Sequence, residues 1–185
     1  MLYKEIGGSN WKNSSGWNKF ASDKDYCNWY GITCDDDTSI ITLVNLPNNN
    51  LIGKIDSNYF KLPGVEELNI TNNALKGSIN FLLQLTEVKK IDISHNGFSG
   101  IIPMNIGKLD RLRSVIFNDN ELSSNIPSSI SQLSNLETLN FARNLLVEGV
   151  PKISSTLQRL KALNVSGNFL TGETDDLKNL KDIGK

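Results

Sequence analysis

Few residues in this chain of 185 have the types and spacing that chemistry requires. Its single imidazole, His95, follows Ser94, which superficially pairs a base with a nucleophile. Adjacent residues at a strand edge project to different sides, however, and no fixed acid partner or oxyanion feature accompanies the pair, so His95 is expected to be a solvated loop histidine. Asp35, Asp36 and Asp37 offer the carboxylate oxygens that calcium favours. Consecutive carboxylates seldom converge and no EF-hand frame follows, so an exposed acidic turn is the better reading. Two cysteines, Cys27 and Cys34, and one histidine are too few for a four-ligand zinc site, and their spacing is not that of a Cys-x-x-Cys redox pair. No glycine loop has the form that cradles phosphate. These observations point to a protein that is not an enzyme and needs no cofactor or metal.

Composition narrows the field further. The chain carries 19 Lys+Arg against 20 Asp+Glu, a formal net charge of −1, with 38% hydrophobic and 8% aromatic residues. Nucleic-acid binding needs a basic face to neutralise phosphates, and no such excess exists. No apolar run approaches the roughly 20 residues of a membrane-spanning helix; the run Phe81, Leu82, Leu83 stops at Gln84. The segment from Met1 to Gly8 lacks the apolar centre of a secretory signal, so any such signal is expected to have been removed or to lie upstream.

The elements that position these residues follow from a repeat. Asparagine recurs at Asn49, Asn73, Asn96, Asn120, Asn144 and Asn168, at intervals of 23 or 24 residues. Each sits in one apolar frame, for example Val65/Leu68/Ile70/Asn73/Leu75 and Leu112/Val115/Phe117/Asn120/Leu122. The apolar-x-apolar core has period two, so Leu68 and Ile70 face one way while Glu67, Asn69 and Thr71 face the other. One short strand per repeat, stacked in parallel, gives a sheet with a continuous aliphatic inner face. Each fully buried Leu or Ile there contributes about 1.5–3 kcal/mol. The asparagine column ends the strand where the chain turns across the core, and its carboxamide can both donate to and accept from the backbone groups that turning leaves unpaired.

After the asparagine the frame continues as x-Leu-x-Gly-x-Ile-Pro, as in Phe98/Gly100/Ile102/Pro103; the fifth repeat departs, with Glu148 in the glycine place and Gly149 one residue late. Residues 1–37 do not follow the frame. They hold Trp11, Trp17 and Trp29 and the sequence Cys27-x-Trp29-x-Gly31-Ile32-x-Cys34. A stacked sheet needs its open apolar end covered, and three tryptophans supply the area for a lid. The repeat resembles the leucine-rich repeat family, in the plant-type subclass of receptor-kinase ectodomains and secreted, polygalacturonase-inhibitor-like proteins, and the first 37 residues resemble the amino-terminal cap of its extracellular members. That resemblance implies an α/β repeat solenoid: a right-handed superhelix with a parallel concave β-sheet and short 3-10 or helical turns on the convex side, residues 1–37 forming the cap and 38–185 about six repeats. It also implies a disulfide between Cys27 and Cys34, the alternatives being two reduced thiols or, less readily, a redox-active pair. A bridge across so short a loop is worth about 2.5 kcal/mol by chain entropy.

By the same resemblance the chain is expected to be secreted or on the extracellular side of a membrane, as a receptor ectodomain fragment or inhibitor-like protein. Asn13, Asn69 and Asn164 head Asn-x-Ser/Thr triplets and are candidate glycan acceptors. A glycan on Asn69 or Asn164 would obstruct the concave sheet, which favours Asn13. The outward concave columns contain Asn45, Asn69, Asp92, Ile116, Asn140 and Asn164, expected mid-strand, followed by positions from Pro47 to Ser166 and from Asn48 to Gly167. Charged and apolar variety concentrates centrally, at Lys90, Asp92, His95, Ile116, Asn118, Asp119, Asn140 and Arg143, the mixture a binding patch needs. The expected function is non-catalytic recognition of a protein, peptide or glycan on the concave or lateral face. The alternative is a scaffold subunit that makes its contacts through the solenoid edges. Finally, Leu177, Leu180 and Ile183 match Leu82, Leu85 and Val88, so a seventh strand is expected to begin where the sequence stops at Lys185, as in a fragment or an unfinished stack.

Overall fold

The structure, a computed structural model, describes residues 2–17, 25–58, 60–153, 155–171 and 182–184. The period-two core of each repeat forms a short strand: β2 (Ile41–Asn45), β4 (Glu67–Asn69), β6 (Lys90–Asp92), β8 (Ser114–Ile116), β10 (Thr138–Asn140) and β12 (Ala162–Asn164). With β1 (Ile32–Cys34) at one end and β14 (Asp182–Gly184) at the other, they make an eight-stranded sheet that is parallel from β2 onward. Equivalent residues lie opposite one another throughout, as in Leu68, Ile91, Val115, Leu139 and Leu163, all buried. The expected concave column does not lie mid-strand: Asn69, Asp92, Ile116, Asn140 and Asn164 each end a three-residue strand.

The glycine-bearing half of the frame contributes a second parallel sheet that the sequence pattern did not announce. Its strands are β3 (Ile52–Lys54), β5 (Ala74–Gly77), β7 (Gly97–Ile101), β9 (Glu121–Ser124), β11 (Leu145–Glu148) and β13 (Phe169–Leu170). Only two to five residues long and rich in glycine and serine, these strands carry too brief an alternation to distinguish from turns. From β3 to β11 each crosses a point of positive φ, taken by Gly53 (128°), Gly77 and Gly100 (both 85°) but by Ser124 (67°) and Glu148 (65°) in later repeats. Short 3-10 turns at Asn80–Gln84, Ile106–Lys108 and Ser128–Gln132 then carry the chain back toward the next concave strand.

Between the two sheets and the turns runs one apolar core, with Phe81, Phe98, Phe117 and Phe141 fully buried. Its open end is closed by the cap. Trp11, Trp17 and Trp29 stack in succession with ring centroids 5.0 Å apart at each step, and the buried indole nitrogens of Trp11 and Trp17 donate to the carbonyls of Ile6 and Tyr30, both at 2.9 Å. Buried indoles usually find such a partner; the buried Trp29 nitrogen has none among the described residues, which offsets part of what its ring contributes. Cys27 and Cys34 are joined by a disulfide, and β1, which contains Cys34, pairs antiparallel with β2.

The far end differs from expectation in register. Ile183 pairs with Leu163, which places it in the strand column and not in the Val88 column three residues earlier. A count along the asparagine frame assumes a full-length connection; Ile183 follows Leu163 by 20 residues, whereas Leu163 follows Leu139 by 24. The seventh rung therefore lies inside the sequence. Leu177 and Leu180, like the frame positions Gly172 and Thr174, lie outside the described residues.

The asparagine column links the repeats. Asn120 Nδ2 lies 3.1 Å from the carbonyls of Phe117 and Ile93 and 3.3 Å from that of Asn118, while its Oδ1 accepts the Phe98 N–H at 3.0 Å. Asn144 repeats the arrangement on Phe117, Phe141, Ala142 and Leu122, and Asn168 on Phe141, Val165, Ser166 and Leu146. Each carboxamide thus reaches both its own repeat and the preceding one. Asn120→Leu keeps the volume apolar but strips partners from buried backbone groups, each costing about 1–3 kcal/mol. Urea unfolding should show a loss of about 3 kcal/mol or more, and a loss below 1 kcal/mol would contradict this role. Replacing both Cys27 and Cys34 by Ser should cost about 2.5 kcal/mol in the same measurement.

Candidate functional site on the concave strip

The residues singled out from sequence fall into two adjoining groups on the concave side. The first surrounds a hollow of about 290 Å³ lined by Asn45, Glu67, Asn69, Lys90, Asp92 and Ile116, among others. Their positions follow from strand register, since Glu67, Lys90 and Ser114 lie opposite one another, as do Asn69, Asp92 and Ile116. Lys90 Nζ meets Glu67 Oε1 at 2.7 Å, yet both side chains are mostly exposed and the pair is worth little to stability. Asp92 Oδ1 accepts from the Ser94 backbone N–H (2.9 Å) and hydroxyl (2.6 Å), and the Ser94 hydroxyl lies 2.7 Å from that of Thr71. Ile116 is half-buried and supplies apolar surface beside these charges.

The second group forms a ridge just beyond the strands. Asn48, Asn72, His95, Asp119 and Arg143 occupy the same place in successive repeats and all have φ between 51° and 56°, with Gly167 following at 65°. Asparagine, aspartate and histidine are the side chains that enter this left-handed region most readily, whereas arginine is costly there. Interstrand pairing continues into the ridge and holds it, with the backbone N–H groups of His95, Asp119 and Arg143 donating to the carbonyls of Asn118, Ala142 and Ser166 at 2.7–3.0 Å.

Asp119 is the hub of this ridge. Its carboxylate takes both Nε and Nη2 of Arg143, the latter at 2.8 Å, and the Asn118 carboxamide at 2.6 Å, and it lies 3.5 Å from His95 Nδ1. His95 therefore does have an acid partner, supplied by the following repeat, which adjacency in sequence could not reveal. Ser94 is not part of that constellation, because its hydroxyl is bonded to Asp92 and Thr71. Asn118 is buried (7% exposed) and connects the two rows, accepting from Asn140 Nδ2 at 3.0 Å while donating to Asp119. The Arg143 guanidinium holds the Asp119 carboxyl down to about 2 by hydrogen bonding; burial opposes this, and the Asn118 amide and the His95 charge reinforce it. Arg143 is correspondingly pushed above its ordinary value by Asp119.

Elsewhere, the acidic turn closes on itself: Asp35 Oδ1 accepts from the backbone N–H of Asp37 and from both the N–H and hydroxyl of Thr38. Among the described residues no group of three or more His, Cys, Asp or Glu is placed to hold a metal ion. No described helix is long and apolar enough to cross a membrane.

Comparison with known proteins agrees with this architecture. Residues 4–35 match the leucine rich repeat N-terminal domain and residues 87–109 the leucine rich repeat. The fold is that of a leucine-rich repeat solenoid. Over 93 residues, 49% of its length, the chain is 37% identical to phytosulfokine receptor 1 of Arabidopsis thaliana, covering 9% of that protein. It superimposes on the ectodomain of the Arabidopsis thaliana receptor kinase SOBIR1 with a TM-score of 0.76 at 27% identity, covering 91% of this chain and 90% of that one. The Arabidopsis receptor kinase HAESA, solved in complex with the peptide hormone IDA and the co-receptor SERK1, gives a TM-score of 0.80 at 28% identity over 91% of this chain and 29% of that one. The matched stretch spans less than a tenth of the length of the first curated relatives.

In this solenoid, the residues that spacing alone underweighted are Glu67, Asn45, Asn69 and Ser114, which complete the hollow around Lys90, Asp92 and Ile116. A signal was present for Glu67, which lies 23 residues before Lys90 and carries the opposite charge. Because the Asp119 carboxyl titrates lower in the folded protein than its ordinary 3.8, the stability it contributes is complete above about pH 4 and is lost as pH falls toward 2. Arg143→Met should return that carboxyl toward 3.8 and abolish this part of the acid sensitivity, as carbon-13 NMR titration of Asp119 in the two proteins would show. An unchanged titration would mean that Arg143 is not the cause.

Proposed function

We propose that this chain is a non-catalytic extracellular recognition module that binds a peptide or protein segment along the concave strip from Lys90 to Arg143. The observation that carries the reading is the ordered mixture at that strip: an apolar surface at Ile116 beside the Glu67–Lys90 and Asp119–Arg143 pairs, their side chains already oriented by bonds across repeats. Preorganised polar groups beside apolar surface lower the ordering cost of binding and favour specificity. The ridge adds weight, since Arg143 is held in a conformation its residue type disfavours, as happens where function demands it. Support also comes from HAESA, whose matching repeats belong to a receptor that binds a peptide hormone. The disulfide-bonded cap suits an oxidising, extracellular setting.

A second reading, assembly through the solenoid edge, is favoured by a separate observation. Ile101, Leu145, Val147 and Phe169 are exposed on the second sheet, and Met104, 74% exposed, lines a hollow together with Ile101. Exposed apolar side chains grouped in this way mark contact surfaces.

The two readings part in one experiment. Peptides are selected from a random display library on the wild-type protein and then measured by calorimetry against Asp92→Lys, Arg143→Glu and the double variant Val147→Ser/Phe169→Ser, each checked for folding by circular dichroism. Concave recognition requires each charge reversal to weaken binding by about tenfold or more, equivalent to about 1.4 kcal/mol, with the serine variant unaffected. Undiminished binding to both reversals sinks the concave reading, and loss confined to the serine variant would establish the lateral surface in its place.

A further inference from the structure

We infer that Asn13 is the acceptor for an N-linked glycan and that the other two Asn-x-Ser/Thr triplets, at Asn69 and Asn164, remain unmodified. The inference rests on the extracellular reading above, because such glycans are added to chains that pass through the secretory route. The transfer forms a bond between the asparagine Nδ2 and the anomeric carbon of a lipid-linked oligosaccharide. The bond from that carbon to the donor's phosphate oxygen breaks, the phosphate leaves with the electron pair, and Nδ2 gives up one proton. The acceptor nitrogen must therefore be free of bonds on which the fold depends, and the space beyond it must be open.

Asn13 meets the first condition, and it lies in the cap, partly exposed and away from the concave strip. Its Oδ1 accepts the Ser15 backbone N–H at 3.1 Å, which orients the carboxamide, while Nδ2 has no hydrogen-bond partner among the described residues. What the fold uses is the backbone of Asn13: its N–H donates to Asn49 Oδ1 (2.8 Å) and its carbonyl accepts from Asn49 Nδ2 (2.9 Å). Asn13 thus closes the first rung of the asparagine ladder through groups that glycosylation leaves untouched. Ser15, the hydroxyl residue of the triplet, is exposed.

The other two triplets conflict with the structure. Asn69 Nδ2 donates to Asn45 Oδ1 at 3.0 Å and its Oδ1 accepts from the Thr71 N–H at 3.2 Å, and both asparagines line the hollow of the concave strip. A saccharide there would fill that hollow. Asn164 lies between two parallel partners, opposite Asn140 on one side and Gly184 on the other. Its Oδ1 is engaged by both the N–H (3.1 Å) and the hydroxyl (2.8 Å) of Ser166, and a sugar there would stand on the concave face beside Asn140. A glycan on Asn13 instead stands at the cap, leaves the strip from Lys90 to Arg143 open, and bulks the terminal rung against stacking by another solenoid.

The full chain, secreted behind a heterologous leader from eukaryotic cells, is treated with peptide N-glycosidase in heavy-oxygen water, and its peptides are read by mass spectrometry. Labelled aspartate is expected at position 13 alone. The electrophoretic shift on glycosidase treatment should vanish in Asn13→Gln and in Ser15→Ala, and persist in Asn69→Gln and Asn164→Gln. Labelled conversion at position 69 or 164, or no conversion anywhere, overturns the inference. The supplied leader routes the chain whatever its native address, so such failure indicts the choice of Asn13. The extracellular reading fails separately if the native protein fractionates with the cytosol.

Discussion

A carboxamide that satisfies two repeats at once is the interaction on which the rest of the structure depends. Turning a chain across an apolar core every 24 residues or so leaves backbone groups without partners in a place water does not reach. Asparagine meets this need because it offers two donor hydrogens and an acceptor in a rigid plane. Asn144 bonds the Phe141 carbonyl of its own repeat and the Phe117 carbonyl of the one before, and accepts the Leu122 N–H. The spacing of repeats and the alignment of strands are thereby set by the same atoms. An aspartate could accept but not donate, and a leucine could do neither.

The concave strip inherits its order from this ladder. Since each turn is fixed to its neighbour, the residue just before every asparagine falls at the same left-handed place, and side chains from Asn48 to Gly167 stand in a single file. Asp119 can then reach Arg143 from the following repeat and His95 from the preceding one. The charge pairs between Lys89 and Glu66 and between Lys161 and Glu137 arise from the same periodicity, each joining residues 23 or 24 apart. Exposed as they are, these pairs contribute little to stability. Their consequence is directional, because they align neighbouring strands along the flank of the strip.

What could be read from sequence was whatever period imposes. The apolar columns, the asparagine ladder and the aromatic cap are one-dimensional patterns, and the pairing of Leu68 with Ile91 and of Ile91 with Val115 follows from their spacing. Three things did not follow. The second sheet escaped because residues such as Ala74–Gly77 alternate too briefly to differ from a turn. The place of Ile183 escaped because a count along the frame presumes a connection of constant length, whereas pairing with Leu163 is what sets the register. The acid partner of His95 escaped because it comes from the next repeat, 24 residues on, where Asp119 is one exposed carboxylate among many until the stack brings the two together. Of the site, the central residues were legible as a mixture of types; that Asn118 is buried and joins Asn140 to Asp119 is a matter of packing that no residue type discloses.

It follows that the concave strip is a property of the stack and not of any repeat. His95, Asp119 and Arg143 come from three successive repeats, and the hollow around Ile116 draws on four strands, from β2 to β8. A solenoid repeat buries its apolar face only against its neighbours, so loss of one interface exposes core and dismantles the strip together. The ridge sharpens this dependence. Arginine in the left-handed region gives up about 1 kcal/mol or more relative to an extended conformation, and at Arg143 this is offset by the two bonds to Asp119 and the backbone bond to Ser166. At Gly167, one repeat later, the same backbone conformation is held without strain, but no side chain is presented. The chain thus passes from a ridge that displays charge at some conformational cost to one that is relaxed and bare, and at that boundary the file of charged side chains ends.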